Sequence, residues 1–218
     1  MSLELFAHPF SSYCQKVLIA LYEDGTEFQY RMLDQEHPEN FAELTKYWPF
    51  ALFPVLLDAG RPVIETTCII EHLQEHHPGP NTWIPDDETG RRVRFLDRFF
   101  DQYVMNTMSA AVFDALRPEG SRDPFGVDKA MGRLATAYDW LEDNLPDSPW
   151  AVGEQFTLAD CAAAPSLFYA DWVQEIGAKR PRLSAYRARL LAHPSVARAV
   201  DEGRPYRNFF PLGAPDRD

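Results

Sequence analysis

Strand signals stop at one place in this chain. Up to the stretch PGPNTWIPDDETG at residues 78–90, short apolar or alternating runs are interleaved with helical patterns, and beyond it only helical periodicity remains. A chain written this way folds as an α/β half followed by an all-helical half. The expected division is a first domain at residues 1–78, a linker at 79–90 and a helical domain at 91–218. The 218 residues are enough for two such units, each with its own core.

Within the first half, LELFA (Leu3 to Ala7) reads as a buried strand stopped by His8-Pro9. A helix follows from Ser12, with Val17, Leu18, Leu21 and Tyr22 on one face and Gly25 as its stop. Phe28, Tyr30 and Met32 alternate as in a strand, and Pro38 opens a helix carrying Phe41, Leu44 and Tyr47 on one side. FPVLLDAGRPVIE reads as two short strands around an Asp-Ala-Gly turn, and TTCIIEHLQEHH as a third helix ended by Pro78. The order is β-α-β-α-β-β-α. In the second half, Val93, Leu96, Phe100, Tyr103, Thr107 and Val112 mark one long helix, and Val127, Met131, Leu134, Tyr138 and Leu141 another. Thr157 and Asp160 form an acidic capping box, with Phe156 and Cys161 as a hydrophobic staple, and Pro165 is expected to kink or open that helix.

Charge and composition exclude several function classes. Asp plus Glu number 33 against 21 Lys plus Arg, a net charge of -12, so a phosphate backbone is repelled and nucleic acid is not an expected partner. No apolar run approaches the roughly 20 residues of a membrane helix, and no secretory leader pattern precedes the first strand. Cys14, Cys68 and Cys161 are odd in number and scattered, as for reduced thiols. A cytoplasmic protein is expected. His72 and His76 stand at i, i+4, a spacing that suits a metal, but no third ligand is evident and the reading is a solvated helix end with no metal.

Strand, Ser-x-x-Cys, helix, Phe-Pro-Val and Glu-Thr, followed by helices with a Thr-x-x-Asp cap, together resemble a cytosolic glutathione transferase of a Ser-type class over nearly the whole chain. The resemblance implies a thioredoxin-like first half, glutathione as co-substrate, an apolar electrophile as second substrate, and a homodimer. It places the active hydroxyl six residues before Val17, at Ser11, with Ser12 as runner-up. Thiol-redox relatives carry Cys-x-x-Cys here; with Ser11 at the first place, Cys14 reads as a buried apolar residue. Pro54 resembles the family's cis-proline, so that Phe53 would offer its backbone to the cysteinyl part of glutathione. Glu65 and Thr66, at a helix start, would meet the γ-glutamyl ammonium and carboxylate. His37 and Lys46 are candidates for the glycyl carboxylate, and Tyr13, Tyr103 and Met108 for the wall of the second-substrate pocket.

Magnitudes make the serine sufficient. Moving a thiol from a pKa of ~8.5 to ~6.5 needs about 2.7 kcal/mol. A hydroxyl donating to a charged sulfur supplies about 1.5–3 kcal/mol and a helix N-terminus about 0.3–1 kcal/mol. Three other readings remain open: an isomerase, a peroxide-reducing enzyme, and a non-catalytic module of the same fold. The last is encouraged by Leu52, which stands where relatives often carry a polar residue. The tail Arg204 to Phe210 either covers the crevice or fills a groove.

Overall fold

The computed structural model describes residues 3–218, so the expected first domain is seen from Leu3 onward and its first two residues lie outside the described part. Four strands, β1 (Leu3–Ala7), β2 (Gln29–Met32), β3 (Val55–Asp58) and β4 (Arg61–Ile64), form one mixed sheet in the order β2-β1-β3-β4. β1 pairs parallel with β2, across helix α1 (Ser12–Glu23), and antiparallel with β3. Helices α2 (Pro38–Tyr47) and α3 (Thr66–His76) complete the α/β half. The expected thioredoxin-like β-α-β-α-β-β-α order is the one observed. The β3–β4 hairpin turns on Ala59 and Gly60, both at positive φ (48° and 78°), as a two-residue turn matched to strand twist requires. Gly25, at φ 63°, supplies the left-handed residue that ends α1.

Alternation along the strands sorts two cores. Phe6, Val55 and Leu57 face Leu44 of α2, while Leu5 and Leu56 join a larger core shared with α1, α3 and the helical half. Phe41, expected beside Leu44, is 43% exposed. α1 also departs from its expected single apolar face: every residue from Cys14 to Leu21 is buried, because α3, α7 and α9 pack around it. Its two polar members are therefore satisfied internally. Gln15 donates to Pro9 O (2.9 Å) and to the Tyr169 hydroxyl (3.2 Å), and Lys16 is paired with carboxylates.

The helical half comprises α4 (Glu88–Phe99), a π-helical stretch (Phe100–Met105), α5 (Asn106–Ala115), α6 (Pro124–Asn144), α7 (Leu158–Val173), α8 (Pro181–Ala192) and α9 (Pro194–Gly203). The expected single helix through Val93 and Val112 is thus broken in phase. A π turn takes up an extra residue, so the buried stripe passes from Phe100 to Val104 and Met105 and leaves Tyr103 48% exposed. α7 is buried along nearly its whole length and runs through Pro165 uninterrupted, contrary to the expected opening. The linker is held too: Trp83 is fully buried and its indole donates to Asp24 at the end of α1 (2.8 Å).

The capping box at the start of α7 is present in full. Asp160 Oδ2 accepts from the Thr157 amide (2.9 Å) and hydroxyl (3.0 Å), and Oδ1 from the Ala151 amide (2.9 Å) and the Tyr186 hydroxyl (2.7 Å). Phe156 and Cys161 are buried beside it. Asp160→Asn replaces one acceptor oxygen by a donor facing donors, so an expected loss of about 1–3 kcal/mol should appear as an earlier thermal midpoint; an unchanged midpoint would contradict this role.

Candidate functional site

Between the two halves lies a cleft of about 910 Å³. One wall is the edge of the α/β half: Trp48, Leu52, Phe53 and Pro54 ahead of β3, and Glu65 to Cys68 at the start of α3. The opposite wall comes from α4 and the π-helical stretch, with Arg94, Phe95, Asp97, Arg98 and Asp101, and from Phe113 of α5. Tyr13 reaches in from the first turn of α1.

Several expected residues meet here. The Phe53–Pro54 peptide bond is cis, and both residues line the cleft. Glu65 is the N-cap residue of α3 at φ 75°, ψ 129°, a backbone region sparsely visited by a non-glycine residue. Thr66 follows as the first helical residue, so unpaired amides open on the same space. Tyr13 has its phenol pKa pushed up to about 12 by burial, then by Asp101 and Glu65, and stays a protonated donor at neutral pH.

Ser11 caps α1: its hydroxyl oxygen accepts from the Cys14 amide at 3.4 Å, which leaves the hydroxyl hydrogen free for another acceptor. Ser11 is not itself among the residues lining the cleft; Tyr13, two positions on, is. Ser12 is the first residue of α1. Cys14 is fully buried, its sulfur accepts from the His8 amide (3.4 Å), and burial, opposed by the bonds from Ser11 and His8, pushes its thiol up to about 12. A thiol held protonated and away from solvent is inert, as the apolar reading required.

Other expected residues lie elsewhere. Met108 is buried in the helical core, and Tyr103 stacks on Phe99 at 5.1 Å between ring centroids instead of facing the cleft. The apolar wall is supplied by Phe95 and Phe113. His37 is the N-cap residue of α2, exposed, with Nδ1 2.8 Å from Asp34, whose hydrogen bond raises the imidazole pKa. Lys46 sits in the last turn of the same helix, and neither residue lines the cleft. The tail folds over α7 and not over the cleft: the Tyr206 ring lies 4.6 Å from His8, Phe210 packs on Trp172, and Arg204 and Arg207 pair with Asp218.

The residues that sequence reasoning missed join the two walls. Lys16, buried in α1, places Nζ 2.6 Å from Asp97 and 2.8 Å from Asp101, and donates to the Thr67 hydroxyl at 3.2 Å. Thr67 in turn donates to Asp97 (2.8 Å). Burial lowers the Lys16 pKa, and Asp101 and Asp97 more than reverse that, so the ammonium stays charged. One cation thereby ties α1, the start of α3 and the α4 wall together under the cleft. The available signal was Asp97 and Asp101 at i, i+4 among the apolar and aromatic residues Phe95, Leu96, Phe99, Phe100 and Tyr103.

Comparison with known proteins gives the fold a family. Residues 5–81 match the model of a glutathione S-transferase N-terminal domain, and residues 113–189 that of a glutathione S-transferase C-terminal domain. The chain belongs to the glutathione S-transferase family. The α/β half of this transferase is the first matched domain, and the arginine and aspartate wall of the cleft lies in the segment between the two matches. The chain is 28% identical over 209 residues to a probable glutathione S-transferase of Glycine max, covering 92% of this chain and 88% of that one. It is 27% identical over 222 residues to a probable maleylacetoacetate isomerase of Vibrio cholerae, covering 94% and 98%. Among solved structures, a glutathione S-transferase of Methylobacillus flagellatus with glutathione bound superposes with a TM-score of 0.77 at 26% identity, covering 91% of this chain and 98% of that one.

Proposed function

We propose that this transferase binds glutathione in the cleft and activates its sulfur through the Ser11 hydroxyl for attack on an apolar carbon electrophile. The observation that carries this is the meeting, along one wall, of the Phe53 backbone before Pro54 with Glu65 and Thr66 at the start of α3, opposite the apolar Phe95 and Phe113. An extended tripeptide pairs with the first, its γ-glutamyl ammonium meets the Glu65 carboxylate, and its α-carboxylate meets the Thr66 amide and hydroxyl. We also propose His37 as the partner of the glycyl carboxylate, which requires the tripeptide to extend beyond the cleft lining to the start of α2. In the reaction the thiol proton goes to solvent, the sulfur lone pair forms the carbon–sulfur bond, and the electrophile's leaving group departs with its electron pair. Ser11 donates a hydrogen bond throughout and forms no covalent bond.

A second reading, glutathione-dependent isomerisation, is favoured by Arg94 and Arg98 in the electrophile wall, which suit a substrate bearing carboxylate. A panel of neutral and carboxylated electrophiles separates the two. Before either, millimolar glutathione should raise the melting temperature, by an amount equivalent to about 2.7 kcal/mol at one hundred times Kd. Glu65→Ala should weaken glutathione binding by about 10- to 150-fold, the equivalent of one charge-assisted bond. No glutathione-dependent shift in the parent protein would favour the non-catalytic module.

We further propose a cytoplasmic homodimer. Among the described residues no helix is long and apolar enough to cross a membrane, and Phe50 (71% exposed), whose ring lies 4.8 Å from that of Trp48, offers an apolar contact beside the cleft. Light scattering coupled to size exclusion should give twice the 25.0 kDa chain mass, and Phe50→Asp should shift it toward the monomer; a monomeric parent would refute the assembly.

A further inference from the structure

Away from the cleft, at the other end of α3, the chain brings together three ligating side chains that the transfer reaction does not use. Asp58 closes β3, immediately before the hairpin turn, and its Oδ2 lies 2.9 Å from His72 Nε2 and 2.8 Å from His77 Nε2. All three ligating atoms fall within 4.8 Å of one another. Each side chain keeps about a fifth of its surface open, 18% for Asp58, 21% for His72 and 25% for His77, so an ion can enter.

The placement of His77 follows from the end of the helix. Five positions on from His72, a residue on a continuing helix would point some 140° away, at about 100° per residue. His77 is instead the C-cap residue, at φ -134°, ψ 52° before Pro78, and this turn out of the helix swings its ring back to Asp58. His76, the i+4 partner suggested by spacing, packs against His72 with ring centroids 4.4 Å apart and the rings tilted at 59°, but its Nε2 faces Glu75 at 3.9 Å.

We propose that Asp58, His72 and His77 form a binding site for one divalent transition-metal ion of the zinc type. Two imidazoles and one carboxylate are the donor set such borderline ions take, and a three-ligand set leaves a fourth position for water. In the loaded site each ring carries its proton on Nδ1 and presents the Nε2 lone pair to the metal. Bound there, the ion fastens the β3–β4 hairpin to the C-terminal end of α3.

The test is titration of the chelator-treated full chain with Co²⁺, followed by its visible spectrum, and with Zn²⁺ against a competing indicator. One ion should bind per chain, with cobalt bands of a tetrahedral nitrogen and oxygen site, and Zn²⁺ should raise the melting temperature. His72→Gln and His77→Gln, each checked for native circular dichroism, should separately weaken binding by at least about tenfold. His76→Gln, and Cys68→Ser at the exposed thiol, should leave it unchanged. Absence of stoichiometric binding at millimolar Zn²⁺, parental affinity in His77→Gln, or loss in Cys68→Ser instead, would overturn the site.

Discussion

Lys16→Met is expected to lower folding stability by about 3–5 kcal/mol, the cost of leaving buried carboxylates without their cation. Asp97 is 1% exposed and Asp101 21%, and both reach Lys16 within 2.8 Å, so the methionine strands two charges together. The sign of the pH dependence follows. Burial already raises the Asp101 pKa in the parent, against the pull of Lys16; without the cation the folded state binds protons more readily than the unfolded one, and stability lost near neutrality returns as pH falls. Urea unfolding should therefore show a deficit that is large near pH ~8 and smaller near pH ~5, and adding Asp97→Asn and Asp101→Asn should recover much of it. Because Lys16 also bonds Thr67 at the start of α3, glutathione affinity should fall with stability. A deficit under about 1 kcal/mol would mean that the three charges are not held as a dry cluster.

Ser11→Ala is expected to raise the pKa of the bound thiol by about 1–2 units, since a hydrogen bond to a charged group contributes about 1.5–3 kcal/mol and one unit is about 1.36. Turnover at neutral pH should drop by about 3- to 25-fold, as the thiolate fraction does when a pKa of ~6.5 rises by 1–2 units, and recover as pH rises, while glutathione affinity changes little. The same substitution removes an N-cap, which by itself costs about 0.5–2 kcal/mol of stability. Ser11→Gly keeps most of the cap and loses the hydroxyl, so it should reproduce the kinetic defect without the full loss of stability. Ser12→Ala should behave as the parent.

Features whose cause lies within a few residues were legible in the sequence. The Asp-Ala-Gly turn and the capping box of Thr157 and Asp160 both come from local backbone chemistry, and both stand where they were expected. What depended on distant partners was not. Lys16 lies in α1, yet its carboxylates come from residues 97 and 101, more than 80 positions on. Tyr103 fitted a 3.6-residue stripe until the π turn at Phe100–Met105 moved the buried face by one position, and no local residue type announces such a turn. Apolar wall residues were the least legible part of the site, because aromatic periodicity is the same whether a ring fills a core, as Phe100 does, or lines a cleft, as Phe95 does.

The proposal that a hydroxyl at the mouth of α1 keeps sulfur anionic is met most directly by titrating the thiolate absorbance of glutathione bound to the parent protein and to Ser11→Gly. The bound thiol should ionise about 1–2 units lower in the parent than in the variant. Superimposable titration curves would contradict it.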